Sequence, residues 1–129
     1  MASPLLHERY CGVWSRTLLH SVSAGVHSFD TTTVVRWVQT RRYFGDVRVP
    51  ADVAARVTRP LRECGEAELA LLSTQVAFAG YTTEVADPGG ATSVVSWERC
   101  IDFKPPGGPP DTGRARWVNA NKLYEVRAL

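Results

Sequence analysis

No stretch of this sequence approaches the roughly 20 consecutive apolar residues that a membrane-spanning helix requires. Its opening, "MASPLLHERY", lacks the basic start and long apolar run of a secretory signal. Charge of one sign is also missing in any excess. The formal net charge is +2, and the arginines are scattered along the chain, whereas a nucleic-acid surface gathers its cations on one face. These absences predict a chain with neither a membrane span nor a nucleic-acid partner. Cysteine is sparse: Cys11, Cys64 and Cys100 form an odd count at long spacings without a Cys-x-x-Cys pair. That excludes a disulfide framework and a zinc knuckle, and it predicts reduced thiols in a cytoplasmic protein. The histidines, His7, His20 and His27, fall in or beside predicted loops without ligand spacing on one element. No metal and no cofactor is therefore expected, and haem held by His20 or His27 is the weakest of the functional readings.

What is present is an ordinary globular composition, 44% apolar and 22% charged, in a chain of 129 residues. That length suits one domain with a core that needs no disulfide or metal. β-Branched and aromatic residues alternate with polar ones in several short runs, and turn residues separate them. The alternation predicts strands at residues 10–19, 32–40, 43–49, 76–85 and 92–103, with a last hairpin over 114–126 turned at Asn119-Ala120-Asn121. Residues 20–30 read as a loop. Ala, Leu and Glu dominate residues 51–75, which predicts a short segment and then one helix near 66–74, broken by Pro60 and Gly65. The proline-rich stretch Lys104–Gly113 reads as an exposed, extended loop. About seven antiparallel strands with one inserted helix predict an all-β barrel or sandwich, near the size at which a closed barrel holds one small ligand.

If the tryptophan-bearing faces point inward, the interior receives Trp14, Leu18, Val35, Trp37, Val95, Trp97, Ile101 and Phe103, and with them Arg16, Gln39 and Arg99. Arg36 then points outward, as do Asp46 and Arg48 if the Val47 face is the inner one. A buried guanidinium needs a partner. The partner is either the carboxylate of an amphipathic ligand, held bidentately above an apolar cup, or an internal group: a stacked Trp, Glu84, Glu98 or Asp102. The candidate ligand-binding residues are thus Arg16, Arg99, Trp14, Trp37, Trp97 and Gln39, and none is catalytic. Asp30, ahead of three threonines, reads as an Asx turn.

Two resemblances add to this reading. "GVW" at Gly12–Trp14 resembles the Gly-x-Trp signature of lipocalins and related calycin barrels. The resemblance implies that Trp14 plugs the closed end of a barrel under a late arginine: Arg114, Arg116 or Arg127. "GVWSRTLL", "DTTTVVRWVQT", "YFGDVRVP", "QVAFAGYTT" and "SWERCIDFKPP", in that order, resemble a family of uncharacterised bacterial and fungal lipocalin-like proteins, whose fungal founder interacts with a protein kinase. The similarity covers roughly residues 8–125. It implies a calycin-like barrel and carries no catalytic residues. Members of that family are longer, with a second β-rich half after "LYEV". The resemblance then implies that residues 1–129 are a single barrel domain, the N-terminal half of a longer architecture, or a barrel closed by strands from another copy. The functional expectation is a non-enzymatic binding module for a small apolar or amphipathic anionic ligand. The alternative is a protein-interaction scaffold using surface loops such as Lys104–Gly113, with self-association through an unpaired edge.

Overall fold

The computed structural model describes residues 5–104 and 111–127. Seven strands form one antiparallel sheet in the order β1-β4-β5-β6-β7-β8-β9. These are β1 (Gly12–Ser15), β4 (Val34–Gln39), β5 (Tyr43–Val49), β6 (Val76–Ala86), β7 (Ser93–Asp102), β8 (Asp111–Asn119) and β9 (Lys122–Arg127). A separate two-stranded sheet, β2 (Leu19–Ser23) with β3 (Val26–Asp30), is inserted between β1 and β4. Two short helices, α1 (Ala51–Arg56) and α2 (Glu66–Leu72), lie between β5 and β6.

The sheet curls. Trp14 on its first strand meets Trp117 on β8 edge-on, with ring centroids 5.6 Å apart. β1 and β9 remain the ends of the hydrogen-bonded order, so the sheet is a half-barrel rather than a closed one. The physical cause of the curl is the ordinary strand twist acting on one concave face that carries the large aromatics. The register puts Trp14, Trp37, Asp46, Phe78 and Asp102 in one continuous inward row. Phe44, Phe78, Val95, Trp97 and Ala115 are buried with Leu6 and Tyr10 from the N-terminal segment, and Trp37, Val76, Trp117 and Leu123 pack against them.

Four sequence expectations need correction. Residues 20–30 are a hairpin, not a loop: Ala24 and Gly25 both have positive φ, at 50° and 78°, which is the two-residue turn whose twist suits a hairpin. An alanine at its first position conceals that turn in the sequence. The predicted strand 10–19 is shorter, running from a 3-10 turn at Glu8–Tyr10 into β1, and Leu18 lies outside any strand and is exposed. Asp46 and Arg48 face inward, while Tyr43 and Val47 are the exposed residues of β5. Both faces of β5 carry apolar residues, and burying Phe44 decides between them by parity. Ile101 and Phe103 are exposed as well. The β6–β7 register shifts at Ala79/Gly80, so that Cys100 is an extra, unpaired residue. This β-bulge turns Ile101 outward and Asp102 inward. Gly80 makes the bulge possible, because a Cβ there would fall onto the backbone carbonyl of Glu98.

Arg36 is exposed, as expected, and donates to the Val35 carbonyl. Of the stretch Lys104–Gly113, residues 105–110 lie outside the described residues, and Asp111–Gly113 belong to β8.

Candidate functional site

The indoles of Trp14, Trp37 and Trp97 converge inside the curl. Trp14 stacks on Trp37 at 5.7 Å and 27°, and Trp37 meets Trp97 edge-on at 5.7 Å. Trp117, which the sequence reading left in the last hairpin without a role, completes the set through Trp14 and Tyr10. Its signal was period-two alternation: Ala115, Trp117 and the inward Gly113 share one face of β8.

Gln39 is 2% exposed, and internal partners engage it. Its Oε1 accepts from Trp37 Nε1 at 2.9 Å and from the Thr82 hydroxyl at 3.0 Å. Its Nε2 donates to the Thr40 and Tyr43 carbonyls at 2.8 and 3.2 Å. Trp14 Nε1 donates to the Tyr10 carbonyl at 2.8 Å. Trp14, Trp37, Trp97 and Gln39 therefore hold one another and fill the space between them.

Tyr10 donates its hydroxyl to Glu84 at 2.7 Å, and burial, followed by that carboxylate, raises the phenol above its ordinary pKa. Arg9 approaches Glu84 at 3.8 Å and lies 5.0 Å from the Trp117 ring. The guanidinium over an indole is thus Arg9, before β1, rather than Arg114, Arg116 or Arg127. Arg114 pairs with Asp87, and Arg127 with Asp111 and Glu125.

The other part of the concave face is charged. A cavity of about 40 Å³ has a floor of Trp37, Phe44, Phe78 and Trp97 and a rim of Asp46, Arg48, Asp111, Glu125 and Arg127. That volume admits a few waters. A drug-sized ligand takes roughly 300–1,000 Å³. Arg99 lies beside it, 3.7 Å above the Phe78 ring centre, and donates to Asp102 at 3.0 Å and Asp111 at 2.5 Å. Burial pulls Arg99 down, and the hydrogen bonds it donates to Asp111 and Asp102 more than offset it, so its proton is held more tightly than usual. Of the internal partners the sequence offered Arg99, Asp102 is the one in place, and Asp111 is added from β8.

Arg16 donates to Asp30 at 3.1 Å. Asp30 also accepts from the Thr33 hydroxyl and from the Thr32 and Thr33 backbone N–H groups, which forms the expected Asx turn. The Thr33 hydroxyl first, then these N–H groups and Arg16, hold Asp30 down at about 2. Arg48 pairs with Asp46 at 2.9 Å. Glu125 is raised above its ordinary value, because desolvation outweighs the attraction of Arg127 and Arg48.

Each guanidinium at this end of the curl thus has a carboxylate, and the arrangement is a hydrated ion-pair network on an aromatic floor. A second, more open cleft of about 240 Å³ lies at the seam where the barrel fails to close, between Arg9–Trp14 and the β8–β9 turn at Ala120 and Asn121. Among the described residues, no group of three or more His, Cys, Asp or Glu is placed to hold a metal, and no helix is long and apolar enough to cross a membrane. Compared with protein-family models, with curated proteins and with solved structures, the chain matches none of them.

Proposed function

We propose that this chain is a non-enzymatic protein-binding module of calycin-like build, filled on the inside and binding with its outside, and that the partner its surface fits is a second copy. The single observation that carries this reading is the convex face. Val13, Val38, Gly45, Ala79 and Ile101 are register neighbours across five strands on that face, and Val47 and Phe103 extend the row. Val13, Val38, Val47, Ile101 and Phe103 are all exposed. Monomeric soluble proteins rarely leave such a contiguous apolar face uncovered.

Surface area supports the reading. The chain exposes 9108 Å², against roughly 6,800 Å² for a compact monomer of its mass. Part of that excess belongs to the β2–β3 hairpin, which is exposed from Leu19 to Phe29. One side of a standard interface buries about 800 Å². A net charge of +2 sets no strong repulsion between copies. The Gly-x-Trp of β1, with Trp14 inside the curl, supports the calycin kinship. The free thiols of Cys11, Cys64 and Cys100 support a reducing, cytoplasmic setting.

Sedimentation velocity between about 1 and 100 μM tests the proposal. The expected result is a dimer that the Val38→Lys, Ile101→Lys double variant converts to a monomer with an unchanged circular dichroism spectrum. A chain that stays monomeric throughout that range overturns it.

A second reading, the small-ligand cup, is favoured by the charged rim above the aromatic floor. An amphipathic anion entering there displaces Asp102 or Asp111 from Arg99, or Asp30 from Arg16. Asp111→Asn then tightens binding of a fluorescent long-chain carboxylate. Equal affinity, or none, in both proteins removes this reading.

A further inference from the structure

The β2–β3 hairpin carries a pair of side chains that the functional reading does not use. The register pairs His20 with Phe29 and Val22 with His27, so His20 and His27 are diagonal neighbours on one face. His20 Nε2 lies 2.8 Å from His27 Nδ1. Their rings are stacked at 5.0 Å and 23°, and Phe29 backs His20 at 4.4 Å and 12°. The whole hairpin from Leu19 to Phe29 is exposed, so a solute reaches both rings.

We propose that His20 and His27 form a two-imidazole chelate site for a divalent transition metal that prefers ligands at right angles, Cu²⁺ or Ni²⁺. Three observations lead there. The first is spacing. Imidazole nitrogens bind such metals at roughly 2.0–2.1 Å, so two of them at right angles stand ~2.9 Å apart, and at the tetrahedral angle ~3.3 Å. The two nitrogens stand 2.8 Å apart because the rings share a hydrogen bond, so a metal that replaces the shared proton finds both donors already near the right-angled spacing. The second is preorganisation: stacking on Phe29 already restrains the His20 ring, and the two side chains approach across paired strands. The third is charge. From Leu19 to Asp30 the hairpin contains no lysine or arginine to repel a cation. Among the described residues no third His, Cys, Asp or Glu joins the pair, so water completes the coordination.

Binding breaks the His20–His27 hydrogen bond: the ring that donates it moves that proton to its other nitrogen, so that both rings present an unprotonated nitrogen to the metal. The consequence is a cross-link between β2 and β3. Among the described residues their two-stranded sheet pairs with no other strand, and such a hairpin is marginal on its own.

The experiment uses the full chain and Ni²⁺ alone as probe, since Cys11 and Cys100 are exposed thiols that reduce Cu²⁺. Isothermal titration is read together with paramagnetic broadening of the histidine ring resonances. The expected result is one Ni²⁺ per chain with broadening at His20 and His27. Affinity falls by about tenfold or more in His20→Ala and in His27→Ala, and is unchanged in His7→Ala and in the Cys11→Ser, Cys100→Ser double variant. Far-UV circular dichroism confirms that the single variants remain folded. No saturable binding below about 1 mM, or affinity unchanged in either hairpin variant, overturns the proposal.

Discussion

The Arg99 guanidinium lies 3.7 Å above the centre of the Phe78 ring. Two carboxylates also hold it, one on its own strand and one on the next, Asp102 and Asp111. The Asp102 contact depends on the β-bulge at Cys100, because only the shifted register brings Asp102 to the side on which Arg99 lies. Removing the cation leaves two carboxylates facing an aromatic wall. Arg99→Ala is expected to cost roughly 2 kcal/mol, below the cost of breaking a fully buried pair because the side chain is partly exposed. Asp111→Asn costs less, since Asp102 stays in place. Urea unfolding of both variants measures the difference, and equal midpoints for wild type and Arg99→Ala would remove any stabilising role for the network.

Gly80 gives a sharper prediction. A methyl group at this position collides with the Glu98 carbonyl, and backbone cannot yield as a side-chain tip can. Gly80→Ala should cost ~2–3 kcal/mol. It should also push the β6–β7 ladder toward regular pairing, which would turn Asp102 away from Arg99. Hydrogen exchange at Cys100 and Ile101 reads the ladder directly, and wild-type exchange with wild-type stability would sink the account of the bulge.

Two tryptophans of similar setting should respond differently to Phe. Trp37 Nε1 donates to Gln39, whereas Trp117 Nε1 is buried without a hydrogen-bond partner among the described residues. Both substitutions lose volume, but only Trp37→Phe loses a bond. Trp37→Phe should therefore be the more destabilising by about 1 kcal/mol. Gln39→Leu should exceed both at ~3 kcal/mol, because it strands the Trp37 and Thr82 donors together. Thermal denaturation ranks the three, and Trp117→Phe falling lowest in stability would contradict the bond assignments.

Asp30 sets a pH dependence whose sign follows from its pKa, depressed from the usual 3.8 to about 2 in the fold. A carboxylate held low favours the folded state while it is ionised in both states. Its contribution is complete above about pH 5 and is lost progressively as pH falls toward about 1, below the folded-state value. Asp30→Asn removes it. The stability gap between wild type and Asp30→Asn should be constant from pH 7 to 5 and narrow steadily as pH falls from about 4 toward 1. A gap as wide at pH 2 as at pH 7 would assign the stabilisation to something other than the charge.

Glu125 runs the other way. Its carboxyl is raised by desolvation, so the fold favours the protonated form. That favourable term is present below the ordinary glutamate value and is lost as pH rises through the raised one. Glu125→Gln mimics the neutral side chain. It should match or exceed wild-type stability at pH 7 and lose that advantage by pH 4, a crossover that chemical unfolding at the two pH values can detect.

Much of the architecture was readable from residue order, and the failures share a cause. Alternation on β4 placed Val35, Trp37 and Gln39 on one face, and those residues do face inward. On β5 the same alternation offered two partly apolar faces, Tyr43-Val47-Val49 and Phe44-Asp46-Arg48, and chose wrongly, because Asp46 and Arg48 neutralise each other inside. Arg16 and Arg99 could be marked as cations needing partners. Their carboxylates are more distant in sequence than local pattern reaches: Asp30 is 14 residues from Arg16, and Asp111 is 12 from Arg99. The histidine pair was hidden for a different reason, since the Ala24-Gly25 turn lacks the Asn or Asp that usually announces such a hairpin.

Residue order alone determined that this chain makes antiparallel strands, where most of them run, and that its indoles share an inner side. Period-two alternation and turn chemistry act locally, so those decisions need no partner strand. Only the tertiary structure decided which side of β5 is buried, where the β6–β7 pairing slips, which carboxylate holds each arginine, and how the indoles pack on one another. Those outcomes depend on the backbone and volume of neighbours far along the chain. No local pattern contains that information.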